Sequence, residues 1–459
     1  MRGKWMSTIN VAQTLAESKL TKYHFSLVFW FWFIIVIDGY DLIVFGTVVN
    51  SLMNDWSLTT TQAGLLGSIT YIGVMIGTIL LGILGDKIGR KQVAIWSFVV
   101  FCLLTGVAGF SNSPVIFGTL RFLAGLALGG VIPNIAALST IYFPKKYRNV
   151  LLCMIQVANP IGGMIAAFIA IPIIPEFGWR MMFYIGFIPL ITLPFLIKYL
   201  PESPEIYYRS NQSKLANVLS KIQSSNIQNE NVQFQLGFPK KEKTKIKRLF
   251  EDKRMLTTLL FWFAFILSQL VMYGLNTWLP NLMRTAGYTT ASGLLFLGLM
   301  NLGAVLGGLV GGFLADRTSG RKVNIIFGLI AASMIALLAI PMNLPLVSLI
   351  IIVSGFAAIG MQLVGNSYVT LYYPTNLRAS GLGFASGFGR IGAMLGPSLG
   401  GMLLALNLPF QLNFLLFAIP AVLFSILYYF VQEKYAYSSS NEQEDMQEIE
   451  NEQLVEVKI

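Results

Sequence analysis

Long apolar stretches separated by short polar links fill most of the chain. This pattern predicts twelve membrane-spanning helices, which we number spans 1 to 12 in chain order, at residues 25–49, 62–84, 92–111, 115–139, 150–174, 179–200, 255–280, 292–315, 323–342, 345–370, 379–405 and 409–432. Each stretch reaches the length of about 20 residues that an α-helix needs to cross the hydrocarbon core of a bilayer. A helix satisfies its own backbone hydrogen bonds inside lipid, so the pattern predicts an all-α membrane protein.

Polar regions at both ends and after span 6 divide the chain into five parts. The longest polar link separates six spans from six. We therefore expect an N-terminal segment (1–24), an N-terminal six-helix half (25–200), a central loop (201–254), a C-terminal six-helix half (255–432) and an acidic tail (433–459).

The composition excludes a soluble domain. Of the 459 residues, 55% are hydrophobic and 12% are charged, whereas soluble domains carry about 25% charged residues. The two cysteines and the single histidine lack the spacing of metal ligands. The sequence also contains no nucleotide-binding loop and no nucleophile beside a base. We therefore expect no metal, no cofactor and no enzymatic activity.

The distribution of basic residues predicts the orientation in the membrane. All but four of the 32 Lys and Arg residues fall on one side of the predicted membrane. Of the four exceptions, Arg180 and Arg284 fall on the other side, and Arg121 and Arg390 fall inside spans. Loops rich in Lys and Arg stay cytoplasmic, so we expect cytoplasmic termini and a cytoplasmic central loop in an inner membrane. The bilayer accounts for the basic charge, and no nucleic-acid partner is expected.

The two halves repeat each other. The segment GDKIGRK (85–91) after span 2 corresponds to ADRTSGRK (315–322) after span 8, and YFPKKYR (142–148) corresponds to YYPTNLR (372–378). The same separation of 230 residues aligns Gly162 with Gly392. One separation that holds at three places indicates a duplicated six-helix unit. Two such halves that enclose a site near the middle of the membrane are typical of secondary transporters.

At this level of detail the sequence resembles the major facilitator superfamily. The link between spans 2 and 3, GILGDKIGRK (82–91), matches the loop signature of that superfamily, with Lys87 where arginine is usual. Ile141 stands where members of the aromatic acid/proton symporter family usually carry a glutamate. Other stretches resemble that family, namely DGYD (38–41), RFLAGLALGGVIPN (121–134), PESPE (201–205), TWLP (277–280) and YYPTNLRASGLGFASGFGRIGAMLGPSLGG (372–401).

The resemblance implies the major facilitator fold, with twelve transmembrane helices in two pseudo-symmetric halves. It also implies a proton-coupled transporter that imports a small carboxylated, aromatic acid by alternating access. We expect a functional monomer whose partners are the acid, protons and the bilayer. Three alternatives stay open: an importer of an aliphatic organic acid, a proton-driven exporter, and a membrane sensor or receptor with a transporter-like body.

Two carboxylates inside span 1 are the first candidates for proton coupling. Asp38 and Asp41 are three residues apart and therefore share one helix face. A charged side chain at the centre of a membrane helix costs about 2.5–3.5 kcal/mol, so one of two crowded carboxylates can hold a proton near neutral pH. We predict that Asp41 carries the coupling proton. The alternative is that both aspartates only cap the helix or pair with Arg121.

The two arginines inside spans are candidates for binding a substrate anion. Arg390 suits a carboxylate because a guanidinium offers two parallel hydrogen bonds; the alternative is a pair with a span 1 aspartate. Arg121 opens a stripe with Gly125 and Gly129, which also fits close helix packing. The other predicted substrate-binding residues are polar side chains inside spans: Gln156, Asn159, Tyr273, Asn276, Gln362 and Asn366.

The duplicated loop signatures are predicted to control the exchange between conformations. Charges at the ends of helices can clasp the halves in one state and release them in the other. The alternative is that these charges are only a solvated surface. The residues are Gly85, Asp86, Gly89, Arg90 and Lys91 in the first copy and Asp316, Arg321 and Lys322 in the second.

Overall fold

The structure is a computed structural model that describes residues 7–223, 232–238, 246–251, 253–374 and 377–437. The rest of the predicted N-terminal segment, central loop and acidic tail lies outside these residues. The side chain of Asp316, one of the predicted gating residues, also lies outside the described part of the structure.

Within the described residues, the N-terminal half contains the six predicted spans. Span 4 breaks at Gly129 and Gly130, and span 6 changes to a 3-10 helix around Pro189, whose ring removes a backbone donor. The bounds are Lys22–Asp55 (span 1), Thr60–Ile88 (span 2), Arg90–Ala108 (span 3), Pro114–Leu128 and Val131–Tyr142 (span 4), Arg148–Gln156 and Ala158–Phe177 (span 5), and Arg180–Tyr184, Ile185–Thr192 and Leu193–Tyr199 (span 6).

The C-terminal half contains the other six spans among its described residues. Eleven of the described spans are long and apolar enough to cross a membrane by length and composition alone. Span 11 is the exception: it has 28 residues, enough to cross, but Arg390 and many glycines lower its hydropathy. The bounds are Met255–Thr285 (span 7), Thr290–Arg317 (span 8), Gly320–Leu337 (span 9), Leu344–Tyr372 (span 10), Arg378–Ala405 (span 11) and Phe410–Tyr429 (span 12).

The duplication is visible in how the helices pack. A Cβ atom at Gly162 on span 5 would overlap the carbonyl oxygen of Val36 on span 1. A Cβ atom at Gly392 on span 11 would overlap the carbonyl oxygen of Ile266 on span 7. Both residues of the second contact lie 230 positions after those of the first. Each half therefore uses glycine at the same place to bring two backbones into contact.

The helix starts repeat in the same way. The Thr59 side chain accepts a hydrogen bond from a backbone amide at the start of span 2, and the Thr289 side chain does so at span 8. Ser113 caps span 4 and Asn343 caps span 10. Such caps satisfy amides that the helix itself leaves free. The repeat thus fixes where equivalent spans begin as well as where they touch.

We name the two ends of the bundle by the chain. Span 1 begins and span 12 ends on the same side, which we call the terminal face; the opposite side is the far face. The two halves contact each other in the part of the bundle toward the far face. There the Ser68 hydroxyl on span 2 donates to the Met394 carbonyl oxygen on span 11 at 2.6 Å. The Asn281 amide on span 7 also donates to Asn50 on span 1 at 2.6 Å.

One face of span 11 shows that the interface between the halves opens toward the terminal face. This stripe consists of Gly383, Gly387, Arg390 and Pro397. Pro397 lies on its far half, where its carbonyl oxygen would be 2.6 Å from a Cβ atom at Gly64 of span 2. On the terminal half of the same stripe, Gly383 and Gly387 have no atom within 4 Å of a Cβ position. Arg390 lies between these two regions. Along spans 2 and 11, the interface is therefore closed at the far face and open at the terminal face.

The terminal face carries a small folded unit that the all-α prediction did not include. The strands Ser7–Asn10 and Val232–Gln235 pair in parallel, which fits their β-branched and aromatic residues. The short helices of this unit are Val11–Ala16, Pro204–Ser210 and Gln212–Gln223, followed by the 3-10 helices Ile246–Phe250 and Glu433–Tyr435. The described part of the predicted central loop is thus structured and joins the N-terminal segment.

Candidate functional site

A buried ion pair joins spans 1 and 4. Arg121 Nη1 donates to Asp41 Oδ1 at 2.7 Å, and Arg121 Nη2 donates to the Asp41 carbonyl oxygen at 2.9 Å. The Thr105 hydroxyl on span 3 makes a short hydrogen bond to the same carboxylate oxygen. Both charged side chains are nearly inaccessible, with exposed fractions of 1% and 2%. A buried pair of this kind is strongly destabilised when one partner loses its charge.

The second oxygen of Asp41 has no partner among the residues that the structure describes. Within that part of the chain, Asp41 Oδ2 is buried and forms no hydrogen bond, and the same is true of Arg121 Nε. The pair is therefore joined through one carboxylate oxygen only, although a guanidinium can bind both. An unpartnered carboxylate oxygen is an atom on which a proton can reside without displacing an existing hydrogen bond.

Close packing of spans 2 and 4 places Arg121 at this depth. A Cβ atom at Gly125 would overlap the Thr70 carbonyl oxygen, and one at Gly129 would lie 2.5 Å from the Val74 carbonyl oxygen. The stripe that begins at Arg121 is therefore a packing surface, as the structural alternative predicts. It also positions the charge, because backbones this close leave the guanidinium facing Asp41 rather than lipid.

Asp38 lies in a different environment from Asp41. Its side chain is 1% exposed and accepts a hydrogen bond from Asn159 Nδ2 of span 5 at 3.0 Å. Arg390 of the other half is within electrostatic range. Among the described residues, Arg390 forms no ion pair with a carboxylate. The alternative considered from the sequence, a direct pair between Arg390 and a span 1 aspartate, is therefore absent among the described residues in this conformation.

Arg390 instead faces two tyrosines. It is within electrostatic range of the Tyr273 side chain, and the ring of Tyr273 lies 4.6 Å from the ring of Tyr71 on span 2, measured between centroids. Arg390 is half-buried, at the point where the open and closed parts of the interface meet. A guanidinium without a carboxylate partner at the end of an opening is suited to bind an anion that enters from the terminal face.

Apart from Asn159, which donates to Asp38, the predicted amide residues form two separate groups. In one group, Gln362 accepts a short hydrogen bond from Ser268 and donates to Asn366 at 3.2 Å, and Asn366 donates to Gln156 of the other half at 3.3 Å. This chain of amides lies on the terminal side of Arg390. Each of the three amide side chains is hydrogen-bonded to another of them, and the bond between Asn366 and Gln156 joins the two halves.

The second group lies toward the far face. Asn301 on span 8 donates to Asn276 on span 7 at 3.0 Å. The Asn301 side chain is fully buried, and its own carbonyl oxygen has no partner. Asn276 therefore lies behind the charged centre in this conformation, in the closed part of the interface.

The sequence did not single out several residues that the structure places at the charged centre or directly behind it. Thr105, Tyr71 and Asn301 are uncharged residues in apolar spans, and such residues are common in membrane helices. None of these residues shares a helix with one of the four charged residues, so their positions in the sequence do not indicate that they lie near those charges.

The first loop signature is bound within the N-terminal half. Arg90 Nη2 pairs with Asp86 Oδ1 at 2.9 Å, one helical turn away. Lys91 Nζ donates to the Ile197 carbonyl oxygen at 2.6 Å, and the Lys91 backbone amide donates to Glu202 at 3.1 Å. Glu202 is buried and caps the start of span 3, where the helix dipole favours a carboxylate.

Both glycines of this signature are required by their surroundings. Gly89 has φ +123, a conformation that side chains disfavour, and a Cβ atom there would lie 2.5 Å from a Glu202 carboxylate oxygen. A Cβ atom at Gly85 would overlap the Asn134 side chain. The glycines therefore allow the link between spans 2 and 3 to lie against span 4 and against Glu202.

The second loop signature repeats this anchoring. Arg321 pairs with Glu433 at 3.4 Å, and the Ser319 hydroxyl donates to Glu433 at 2.8 Å. Glu433 follows span 12 as Glu202 follows span 6, at the separation that also relates Arg321 to Arg90. Lys322 is exposed. A glutamate after the last span of each half thus holds the start of the third span, which the sequence did not predict.

These features define a class of protein. Two repeated six-helix halves, buried charges at their interface and an opening to one face are the architecture of a membrane transporter that works by alternating access. The chain belongs to the Major Facilitator Superfamily, whose sequence model matches residues 31–362 and 295–457. It is therefore a multi-pass membrane transporter and not an enzyme, as predicted.

Similarity to individual proteins supports the assignment to this superfamily. The chain is 35% identical to the benzoate transport protein of Acinetobacter baylyi, over 94% of each chain. It is 36% identical to the gentisate transporter of Corynebacterium glutamicum, over 85% of this chain and 84% of that one. Among solved structures, an inward-facing bacterial homologue of the human lysosomal transporter Spinster has a TM-score of 0.72 at 16% identity and covers 92% of this chain and 100% of its own. That likeness shows the fold alone and confirms the predicted major facilitator architecture.

Proposed function

We propose that this protein imports a small aromatic acid, as its anion, together with protons across the inner membrane. The observation that carries the proposal is Arg390, a half-buried cation between the two halves that has no carboxylate partner among the described residues. The names of the two relatives, benzoate and gentisate transporters, favour an aromatic acid. Tyr273 and Tyr71 place two aromatic rings near Arg390, the kind of side chain that packs favourably against the ring of such an acid.

In this proposal the two charged groups have separate roles. Arg390 binds the carboxylate of the substrate, and Tyr273 orients the guanidinium. Asp41 takes up the coupling proton on Oδ2, which removes the negative charge that holds Arg121. Asp38 lies between the two groups and responds to both charges. The proton therefore changes the contact between spans 1 and 4 while the substrate occupies the interface between the halves.

The orientation follows from the basic residues. The terminal face carries the Lys- and Arg-rich links and is therefore the cytoplasmic face. The described conformation, which opens toward this face, is then the one that releases an imported substrate. The protein acts as a monomer in this proposal, because each chain holds a complete site between its own halves.

Uptake by proteoliposomes tests the proposed function. With an acidic outside, we expect radiolabelled benzoate-type acid to accumulate above its level in protein-free vesicles, which report passive entry of the neutral acid. A protonophore should remove the excess. The proposal is wrong if the protein moves only aliphatic acids of equal charge, or if the gradient drives the acid outward.

Replacement of Asp86 by Asn tests the gating role of the loop signatures. We expect slower transport with little change in substrate affinity, because Asp86 pairs with Arg90 at the end of span 2, remote from Arg390. Initial rates of uptake and ligand binding in detergent measure the two effects separately. Asp55→Asn, at the far-face end of span 1, is the matched control. A large loss of affinity at unchanged turnover would contradict the gating role.

A further inference from the structure

We propose that Tyr71 is a positioning residue that couples protonation of Asp41 to substrate binding by Arg390. This inference rests on the proposed function. It adds the residue that links the proton-binding group, Asp41, to the substrate-binding group, Arg390. Tyr71 lies on span 2, is 3% exposed, and was not among the residues predicted from the sequence.

The hydroxyl group of Tyr71 connects it to the proton-binding pair. Tyr71 Oη donates to the Leu42 carbonyl oxygen at 3.2 Å. The preceding carbonyl oxygen, that of Asp41, accepts a hydrogen bond from Arg121 Nη2 at 2.9 Å. Two successive carbonyl groups of span 1 are thus held from the side by Arg121 and Tyr71. Any shift of span 1 that follows release of Arg121 therefore reaches the Tyr71 hydroxyl directly.

The ring of Tyr71 connects it to the substrate-binding side. It packs against the ring of Tyr273 with 4.6 Å between centroids and an angle of 53° between the planes. Tyr273 belongs to the C-terminal half and is within electrostatic range of Arg390. The contact therefore crosses the interface between the halves next to the guanidinium. A movement of the Tyr71 ring changes the support of Tyr273, and with it the orientation of Arg390.

The charges around these groups come from several helices. Tyr71 is within electrostatic range of Asp41, Arg121, Arg390 and Tyr273. It is thus close to the proton-binding pair and to the substrate-binding arginine at the same time. The titratable groups that also face Asp41 are Asp38 and Tyr40 of span 1 and Cys102 of span 3.

Coupling then follows from shared contacts. With Asp41 charged, Arg121 and Tyr71 hold span 1 at two successive carbonyls, and the Tyr71 ring is fixed against Tyr273. With Asp41 protonated, Arg121 loses its charged carboxylate partner and keeps only the backbone carbonyl oxygen of Asp41, so its hold on span 1 weakens relative to that of Tyr71. The ring adjusts, and Arg390 binds the substrate carboxylate in the changed position. Binding at either site thereby alters affinity at the other by the same factor.

Removal of the hydroxyl alone tests this role. In Tyr71→Phe the ring remains against Tyr273, but the bond to Leu42 is lost. We would measure binding of radiolabelled benzoate to the purified full chain at about pH 6 and about pH 8, where the carboxylic acid is ionised at both values. Coupling of ordinary size changes affinity by about 5- to 150-fold. We expect the affinities of the wild type at the two pH values to differ by a factor in this range, and those of Tyr71→Phe to be nearly equal.

Transport measurements provide the second readout. Tyr71→Phe should exchange labelled for unlabelled benzoate as the wild type does but should no longer accumulate it against a gradient. Tyr288→Phe is the matched control, because its hydroxyl also donates to a backbone carbonyl, that of Met342 at 2.7 Å, outside the site. It should leave both readouts unchanged.

Binding of aromatic acid by the wild type tests the proposed function. The difference in pH dependence between the wild type and Tyr71→Phe tests this inference. A wild type that binds no aromatic acid overturns the proposed function and the inference with it. If the wild type binds and Tyr71→Phe keeps the same pH ratio, only the inference is overturned. Equal loss of binding at both pH values would make Tyr71 part of the ligand pocket and would also overturn the coupling role.

Discussion

Asp41→Asn vesicles should exchange substrate but fail to concentrate it with a pH gradient. Asparagine has nearly the same shape as aspartate, so the contacts of Thr105 and the packing of span 1 are largely kept. It cannot take up a proton on Oδ2, the oxygen without a partner in the buried pair with Arg121. Accumulation should therefore fall to the level set by exchange alone.

Paired measurements in the same vesicles check this result. Counterflow of labelled against unlabelled acid reports exchange, and net uptake under a pH gradient reports coupling. Glu176→Gln makes the same chemical change at an exposed position at the end of span 5 and should behave as the wild type. If Asp41→Asn still concentrates the acid, the coupling proton resides elsewhere, and Asp38→Asn becomes the variant to measure.

Arg390→Lys should weaken substrate binding strongly even though the charge is kept. Lysine places a point charge where arginine offers two parallel donors to a carboxylate. Hydrogen bonds to charged groups contribute about 1.5–3 kcal/mol each, so loss of one of the two should lower affinity by roughly 10- to 150-fold. Neutral methyl esters or amides of a transported acid should likewise compete poorly with the acid.

Binding titrations of the wild type and Arg390→Lys measure the first effect, and competition assays on the wild type measure the second. Arg284→Lys, an exposed arginine at the end of span 7, is the matched control. Unchanged affinity in Arg390→Lys, together with equal inhibition by acid and ester, would remove Arg390 from the binding site. Its role would then be electrostatic, toward Asp38.

The sequence by itself determined the twelve spans, the duplication and the four charges inside the spans. These signals are strong because lipid penalises charge and exposed backbone, so apolar length and the rare charged residue both stand out. The separation of 230 residues found in the sequence also relates the glycine contacts of the two halves, at Gly162 and Gly392. A fold built by duplication shows its symmetry in residues that permit close packing.

The small sheet and the two anchoring glutamates escaped prediction for a different reason. Ser7–Asn10 and Val232–Gln235 are short and lie more than 200 residues apart, so neither indicates its partner. Glu202 and Glu433 look like ordinary surface residues in polar links. Their role depends on the position of the third span in each half, which no local pattern specifies.

Only the tertiary structure decided which aspartate pairs with Arg121. Asp38 and Asp41 share one face of span 1, and either is within reach of an arginine on a neighbouring helix by spacing alone. The contacts of Gly125 and Gly129 with span 2 set the depth of span 4 and so direct the guanidinium to Asp41. Asp38 is left facing Asn159 and the other half. Helix depth and rotation depend on contacts between distant residues, which the order of residues along one helix does not contain.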